Sequence, residues 1–294
     1  MSTFHSSMEI ADRRSFQESV LRLPDTPVFD LSPGPISEPK TRVATTKPTK
    51  PLVAAPQPFA WGEEGQSTAG LPFQIYSAGN DGYRTLVVGS VGGNDPVAIR
   101  LVDELAMHLH QQQSIMGGFE TFVIRTLNPD GLKRQSFVNG NGKYVNNFFP
   151  NAEDRTVRVT DMISEVRFAL RQFEERQPQR VIHIRTVRSD RGVIAASSSA
   201  RNAVKSLGEW LQFDVKLLPG PAVDGSIEKY VASTDRMQMI TIAVPAGVSP
   251  AEAWPLYGDA ILNLLLSDDY ETRELARRKN SSAASARLRD PSNP

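Results

Sequence analysis

The chain has 294 residues with 33 basic and 33 acidic side chains, 39% hydrophobic residues and no cysteine. Without cysteine there are no disulfides, thiolate metal sites or cysteine nucleophiles, and the balanced charge gives no global field toward nucleic acid or an anionic membrane. No run approaches eighteen apolar residues, and the opening MSTFHSSMEIADRR carries no apolar core behind its charges, so a soluble, cytoplasmic protein is expected.

The first part of the chain reads differently from the rest. Nine prolines fall between Pro24 and Pro58, mixed with Thr, Ser and Lys. Proline removes backbone donors, and the stretch has no helical or alternating period, so residues 1–66 are expected to form a Pro-rich disordered arm. Within it, Met8 to Leu23 has the spacing of a weak helix.

From Leu71 onward the pattern alternates strands and helices. FQIYSAG and RTLVVGS read as strands, the second apolar enough for a buried central position. VGGND leads to Pro96 at a first helical position, with Asp95 or Asn94 as N-cap, and Ala98, Leu101, Val102, Leu105 and Leu109 form one helical face. FETFVIRTL follows as a strand. Val159 to Phe173 has the spacing of a long helix, then come RVIHIRTV as a strand and GVIAAS as its extension or neighbour. Ser197 to Leu211 reads as a helix, FDVKLL and QMITIAVP as strands, and Pro250 to Leu266 as a closing helix. The expected fold is α/β: a mixed, mostly parallel sheet flanked by helices on both faces, spanning residues 67–268, with a helical end and loose tail at 269–294.

Individual motifs point to structure before chemistry. Gly89 to Gly93 fits neither G-x-G-x-x-G nor a GK[ST] loop, and Ser90 is not in a G-x-S-x-G elbow. His108 and His110 lie two apart on a helix and face different directions. His183 sits mid-strand, where a packed histidine with one hydrogen bond is expected. Asn128-Pro129-Asp130-Gly131 reads as a turn.

Taken in order, GSVGGNDPVA, LNPDGL, NGNGKYVNNFFP, VIHIRTV, DGSIEKYV and ITIAVP resemble the zinc carboxypeptidase family, in its short branch of murein peptide amidases and succinylglutamate desuccinylases. The resemblance runs from about Leu71 to Leu266. It implies that Gly92 stands for the first zinc histidine, Asp95 for the zinc glutamate, Arg185 for the second histidine and Ala243 for the general base. It also places His183 at a structural aspartate, Phe137 near the transition-state arginine, and Asn146-Asn147 at the Asn-Arg pair that grips the substrate carboxylate. Tyr230 falls in the region of the mobile tyrosine. Zinc hydrolysis needs a metal-activated water and a base, so the chain is expected to be a non-catalytic carboxypeptidase-like protein with no metal site. Zinc enters only if the resemblance is closer than these residues imply.

The vestigial site, read as Asp95, Arg185, Asn146 and Tyr230, is expected to bind an anionic small molecule, a peptide carboxylate or a protein partner. The alternatives are an active metallocarboxypeptidase or amidase-type hydrolase with a non-standard site, and a scaffold acting through its N-terminal arm. Asp95 and Arg185 are expected to pair where the zinc would lie; otherwise Arg185 extends into solvent.

Overall fold

A computed structural model describes residues 58–151, 162–218, 220, 222–234 and 236–267. All the described residues lie in one compact unit. The segment 1–57, Val159 and the tail from 268 on, for which expectations were stated above, lie outside the described residues.

Eight strands form one sheet: β1 (Gly62–Gln66), β2 (Pro72–Ala78), β3 (Tyr83–Gly89), β4 (Phe119–Ile124), β5 (Arg180–Val187), β6 (Val193–Ser197), β7 (Asp214–Leu218) and β8 (Gln238–Pro245). Their spatial order is β1-β2-β4-β3-β5-β8-β6-β7. The four central strands β4, β3, β5 and β8 are mutually parallel, as their near-continuous apolar runs require. On one side β2 joins β4 and β1 joins β2, both antiparallel. On the other, β6 is antiparallel to β8, and β7 parallel to β6.

Helices cover both faces. On one, α1 (Pro96–Gln111), α4 (Arg201–Leu211) and α6 (Pro250–Leu266) bury Leu101, Leu105, Val204 and Ile261 against Ile182, Ile184 and Ile242. On the other, α3 (Ser164–Arg176) and α5 (Ile227–Ala232) bury Val166, Phe173 and Val231 with Leu86, Val88, Val181 and Met239. The expectation of an α/β sheet with helices on both faces is met. Gly89 lets α1 come this close: a Cβ there would lie 2.6 Å from both the Arg125 carbonyl oxygen and Val102 Cγ2.

Several boundaries differ from expectation. Residues 62–66 are not outside the domain; β1 pairs with β2, and Phe59 and Trp61 pack against the core. Glu63 and Glu64 gave no apolar period to reveal a strand. GVIAAS pairs with β8 and β7, not as an extension of β5. The helix read from Val159 begins at Ser164, and that read from Ser197 begins at Arg201, after a 3-10 turn. The Asn-Pro-Asp-Gly run opens a short helix, α2 (Pro129–Arg134), whose N-cap Asn128 accepts from the Gly131 N–H at 2.8 Å.

That short helix carries a buried staple. Asp130 is 2% exposed and accepts from Ser67 Oγ, the Ala69 N–H at 3.1 Å and the Gly140 N–H at 2.9 Å. Glu165, fully buried at the start of α3, accepts from Thr68 N–H and Oγ1 and from Asn139 Nδ2. Two carboxylates thus tie the 67–69 loop to the 139–140 loop and α3. Because a buried donor left unsatisfied costs about 1–3 kcal/mol, Asp130→Ala is expected to lower unfolding free energy by about 3 kcal/mol. Urea denaturation measures this, and a loss below about 1 kcal/mol would show that the staple does not hold the loops together.

Candidate functional site

The carboxyl ends of β3, β5 and β8 open on one side of the sheet, the usual place for a ligand in an open α/β fold. Arg185 on β5 and Ala243 on β8 are register partners, so they are neighbours on the same face. Ala243 is buried, and the Arg185 side chain is 47% exposed. Beyond the end of β3, a Cβ built on Gly92 would lie 3.2 Å from Phe137 Cδ1. The Phe137 ring, half exposed, therefore stands over the point from which a histidine at position 92 would project.

Asp95 and Arg185 do not pair. Asp95 caps α1, its Oδ1 accepting from the Ala98 N–H at 3.1 Å. Its Oδ2 accepts from the Thr186 N–H at 2.7 Å and Thr186 Oγ1 at 3.1 Å. The reason lies in the two-residue period of a strand. Ile182, Ile184 and Thr186 turn toward α1, whereas Val181, His183 and Arg185 turn toward α5. A carboxylate at the head of α1 meets Thr186; Arg185 is on the far face. The expectation of an Asp95–Arg185 contact is corrected accordingly, and Arg185 extends toward solvent instead.

The carboxylate that Arg185 does approach is Glu228 on α5, with 4.0 Å between Nη1 and Oε1. The stronger partner of Glu228 is His183, 2% exposed, whose Nδ1 lies 2.8 Å from Oε1. Asn146 completes the cluster: its Nδ2 donates to Glu228 Oε2 at 3.1 Å, and its Oδ1 accepts from the Ile227 N–H at 2.9 Å. Asn146 thereby docks the start of α5 against the Asn-rich loop. Tyr230 is not part of this cluster; its ring packs against Phe149 and Phe173, at 6.2 and 6.0 Å between centroids.

Of the four residues read from sequence, the fold brings Arg185 and Asn146 together around Glu228 and leaves Asp95 and Tyr230 in other contacts. Glu228 was missed. The available signal was His183 itself, since a histidine in the middle of a buried strand needs a polar partner. Nothing in the sequence pointed to a residue 45 positions away as that partner.

The electrostatics of Glu228 follow from its neighbours. Burial alone would raise its pKa, but attraction to His183 and the hydrogen bonds from His183 and Asn146 outweigh it and hold the pKa at about 2, against an ordinary 4.5. A carboxyl depressed on folding stabilises the fold above its unfolded pKa and loses that contribution as pH falls through the folded value. The window here runs from about 4.5 down to about 2, and the shift corresponds to stabilisation on the order of 3 kcal/mol. Stability measured across this range is expected to fall more steeply for the wild type than for Glu228→Gln. Parallel curves would show that Glu228 is not depressed.

These groups do not make a zinc donor set. Gly92 offers no ligand, both Asp95 oxygens are engaged, and Arg185 carries a fixed positive charge. A divalent cation beside that guanidinium would meet repulsion where it needs an electron pair. No group of three or more histidine, aspartate or glutamate side chains suited to a metal occurs among the described residues. No helix among them is long and apolar enough to cross a membrane.

No family model and no curated protein sequence matches the chain. Solved structures do match. The murein-tripeptide amidase of Escherichia coli O157 aligns with a TM-score of 0.55 and 18% identity, over 72% of this chain and 94% of the amidase. A metallo-carboxypeptidase from Burkholderia cenocepacia aligns with a TM-score of 0.58 and 14% identity, over 70% of this chain and 63% of that one. A succinylglutamate desuccinylase from a Silicibacter species aligns at 0.52 and 14%, over 67% and 60%. The chain therefore has the zinc-carboxypeptidase-like fold. It spans nearly all of the amidase and less than two thirds of the carboxypeptidase and desuccinylase.

Proposed function

We propose that this chain is a carboxypeptidase-like protein without zinc-peptidase chemistry, which holds a carboxylate-bearing ligand or peptide end through Arg185. The observation that carries the proposal is the register pairing of Arg185 with Ala243 at the carboxyl ends of β5 and β8. The resemblance places a zinc histidine and a general base at these two positions, and here they supply a cation and a methyl group.

The chemistry of Arg185 suits an anion. Its guanidinium is permanently charged and presents a planar fork of donors that matches a carboxylate. Its nearest acidic neighbour, Glu228, lies 4.0 Å away and is already held by His183 and Asn146. Arg185 can therefore turn to an incoming carboxylate without leaving Glu228 unpartnered. Glu228 and Asn146 act as positioning residues that fix α5 beside it. The neighbouring structures support this ligand class: one metallo-carboxypeptidase, from Pseudomonas aeruginosa, was solved with (2-guanidinoethylmercapto)succinic acid, a dicarboxylate.

Isothermal titration with succinate, and with a tripeptide bearing either a free carboxyl or a carboxamide terminus, tests the proposal. Binding of the carboxylates is expected, with the amide weaker and Arg185→Met weaker by about tenfold or more, as loss of a charged hydrogen bond implies. Equal binding by Arg185→Met would refute the role of Arg185. One tightly held zinc per chain together with peptide hydrolysis would replace the proposal by an active hydrolase with a different metal site.

A further inference from the structure

The two edges of the sheet are built differently. The outer edge of β1 carries Glu63 and Glu64, and its pairing with β2 is interrupted by a register shift between Glu64 and Gln66. Charge and irregularity of this kind keep an edge from recruiting another strand. The opposite edge, β7, has no such irregularity and carries one charge of each sign, Asp214 and Lys216. It pairs with β6 in unbroken register from Asp214 to Leu218. Val215 and Leu217 are 43% and 39% exposed. They line a groove of about 460 Å³ with Phe213 and the α4 residues Lys205 and Gly208.

The backbone of β7 is poised on its free side. The Asp214 N–H donates to the Gly192 carbonyl at 3.1 Å, so Asp214 faces β6. Alternation along the strand then turns the N–H and C=O groups of Val215 and Leu217 toward the open edge. Among the described residues no strand pairs with this row, and one more strand would complete it.

The sequence of this edge, Phe213-Asp214-Val215-Lys216-Leu217, is self-complementary when read antiparallel about Val215. Val215 then faces its own copy, Asp214 faces Lys216, and Phe213 faces Leu217. Opposite residues of an antiparallel pair point to the same face, so the apolar pairs fall together on the α4 side and the charge pairs on the other. The outward backbone groups of Val215 also make the central pair a hydrogen-bonded one. The two adjacent registers fail on charge: a dyad at Lys216 sets lysine against lysine, and one at Asp214 sets aspartate against aspartate. A dyad at Leu217 or Phe213 avoids that but gives up both Asp214–Lys216 pairs. In the single chain Asp214 has only a loose, exposed approach to Arg191, 3.8 Å away, which offers little competition.

We propose that β7 pairs antiparallel with β7 of a second copy of this chain, joining two sheets about a two-fold axis at Val215. Such an interface is isologous, each patch meeting itself, and it covers the apolar edge that β7 leaves exposed.

The full chain and its variants in sedimentation velocity, over about 1–100 μM so as to bracket a micromolar Kd, provide the test. The wild type is expected to dimerise. Lys216→Asp and Asp214→Lys, each alone, place like charges opposite one another and are expected to raise the dimer Kd about tenfold or more. Mixing the two variants restores both opposite-charge pairs and is expected to give a heterodimer, as is the doubly exchanged chain a homodimer. Both substitutions are at exposed positions, and an unchanged melting temperature for the monomer confirms that they fold. A wild type that stays monomeric, a dimer indifferent to either single substitution, or a mixture that fails to associate overturns the proposal.

Discussion

β5 lies at the centre of the sheet with a parallel neighbour on each side and helices over both faces. A strand so placed cannot slip, because a shift of one residue would exchange every side chain between the two faces. Its alternation therefore assigns Ile182, Ile184 and Thr186 to the α1 side and Val181, His183 and Arg185 to the α5 side. Everything at the candidate site follows from this division. Asp95 meets Thr186 because both lie on the α1 side. Arg185 meets Glu228 because both lie on the other. Two residues that the family resemblance places around one metal are thus held apart by the thickness of a strand.

The α5 side shows how a buried charge is kept in an otherwise apolar layer. Glu228 is 6% exposed on a helix whose Ile227 and Val231 belong to the apolar core, where an isolated carboxylate would be costly. His183 and Asn146 together engage both of its oxygens, so its ionised form survives burial. Arg185 stands just outside this pair, near enough to feel Glu228 and exposed enough to reach solvent. The arrangement separates two roles that a metal site would combine: the buried pair fixes geometry, and the exposed cation supplies the accessible charge.

The residues at the ends of β3, β5 and β8 constrain one another. Without a side chain at Gly92, the Phe137 ring can lie across the end of β3. A side chain at 92 would meet that ring first, and at the ends of β5 and β8 the neighbours are Arg185 and Ala243.

The sequence by itself determined the central strands, α1 and α6, and the order of layers, because each depends on local periodicity that packing in this fold preserves. It also carried the family resemblance, through LNPDG and the Asn-rich segment that follows it. Only the tertiary structure decided that β1 belongs to the sheet, since Gly-Glu-Glu-Gly-Gln has no period and is held by its partner strand and by Phe59 and Trp61. Only it joined His183 to Glu228 and Asp95 to Thr186, pairs 45 and 91 residues apart. Spacing along a chain fixes which face a side chain takes on its own strand or helix. Which residue of a distant element arrives at that face depends on how helices dock on the sheet, a choice made by the summed packing of both cores rather than by any local run of residues.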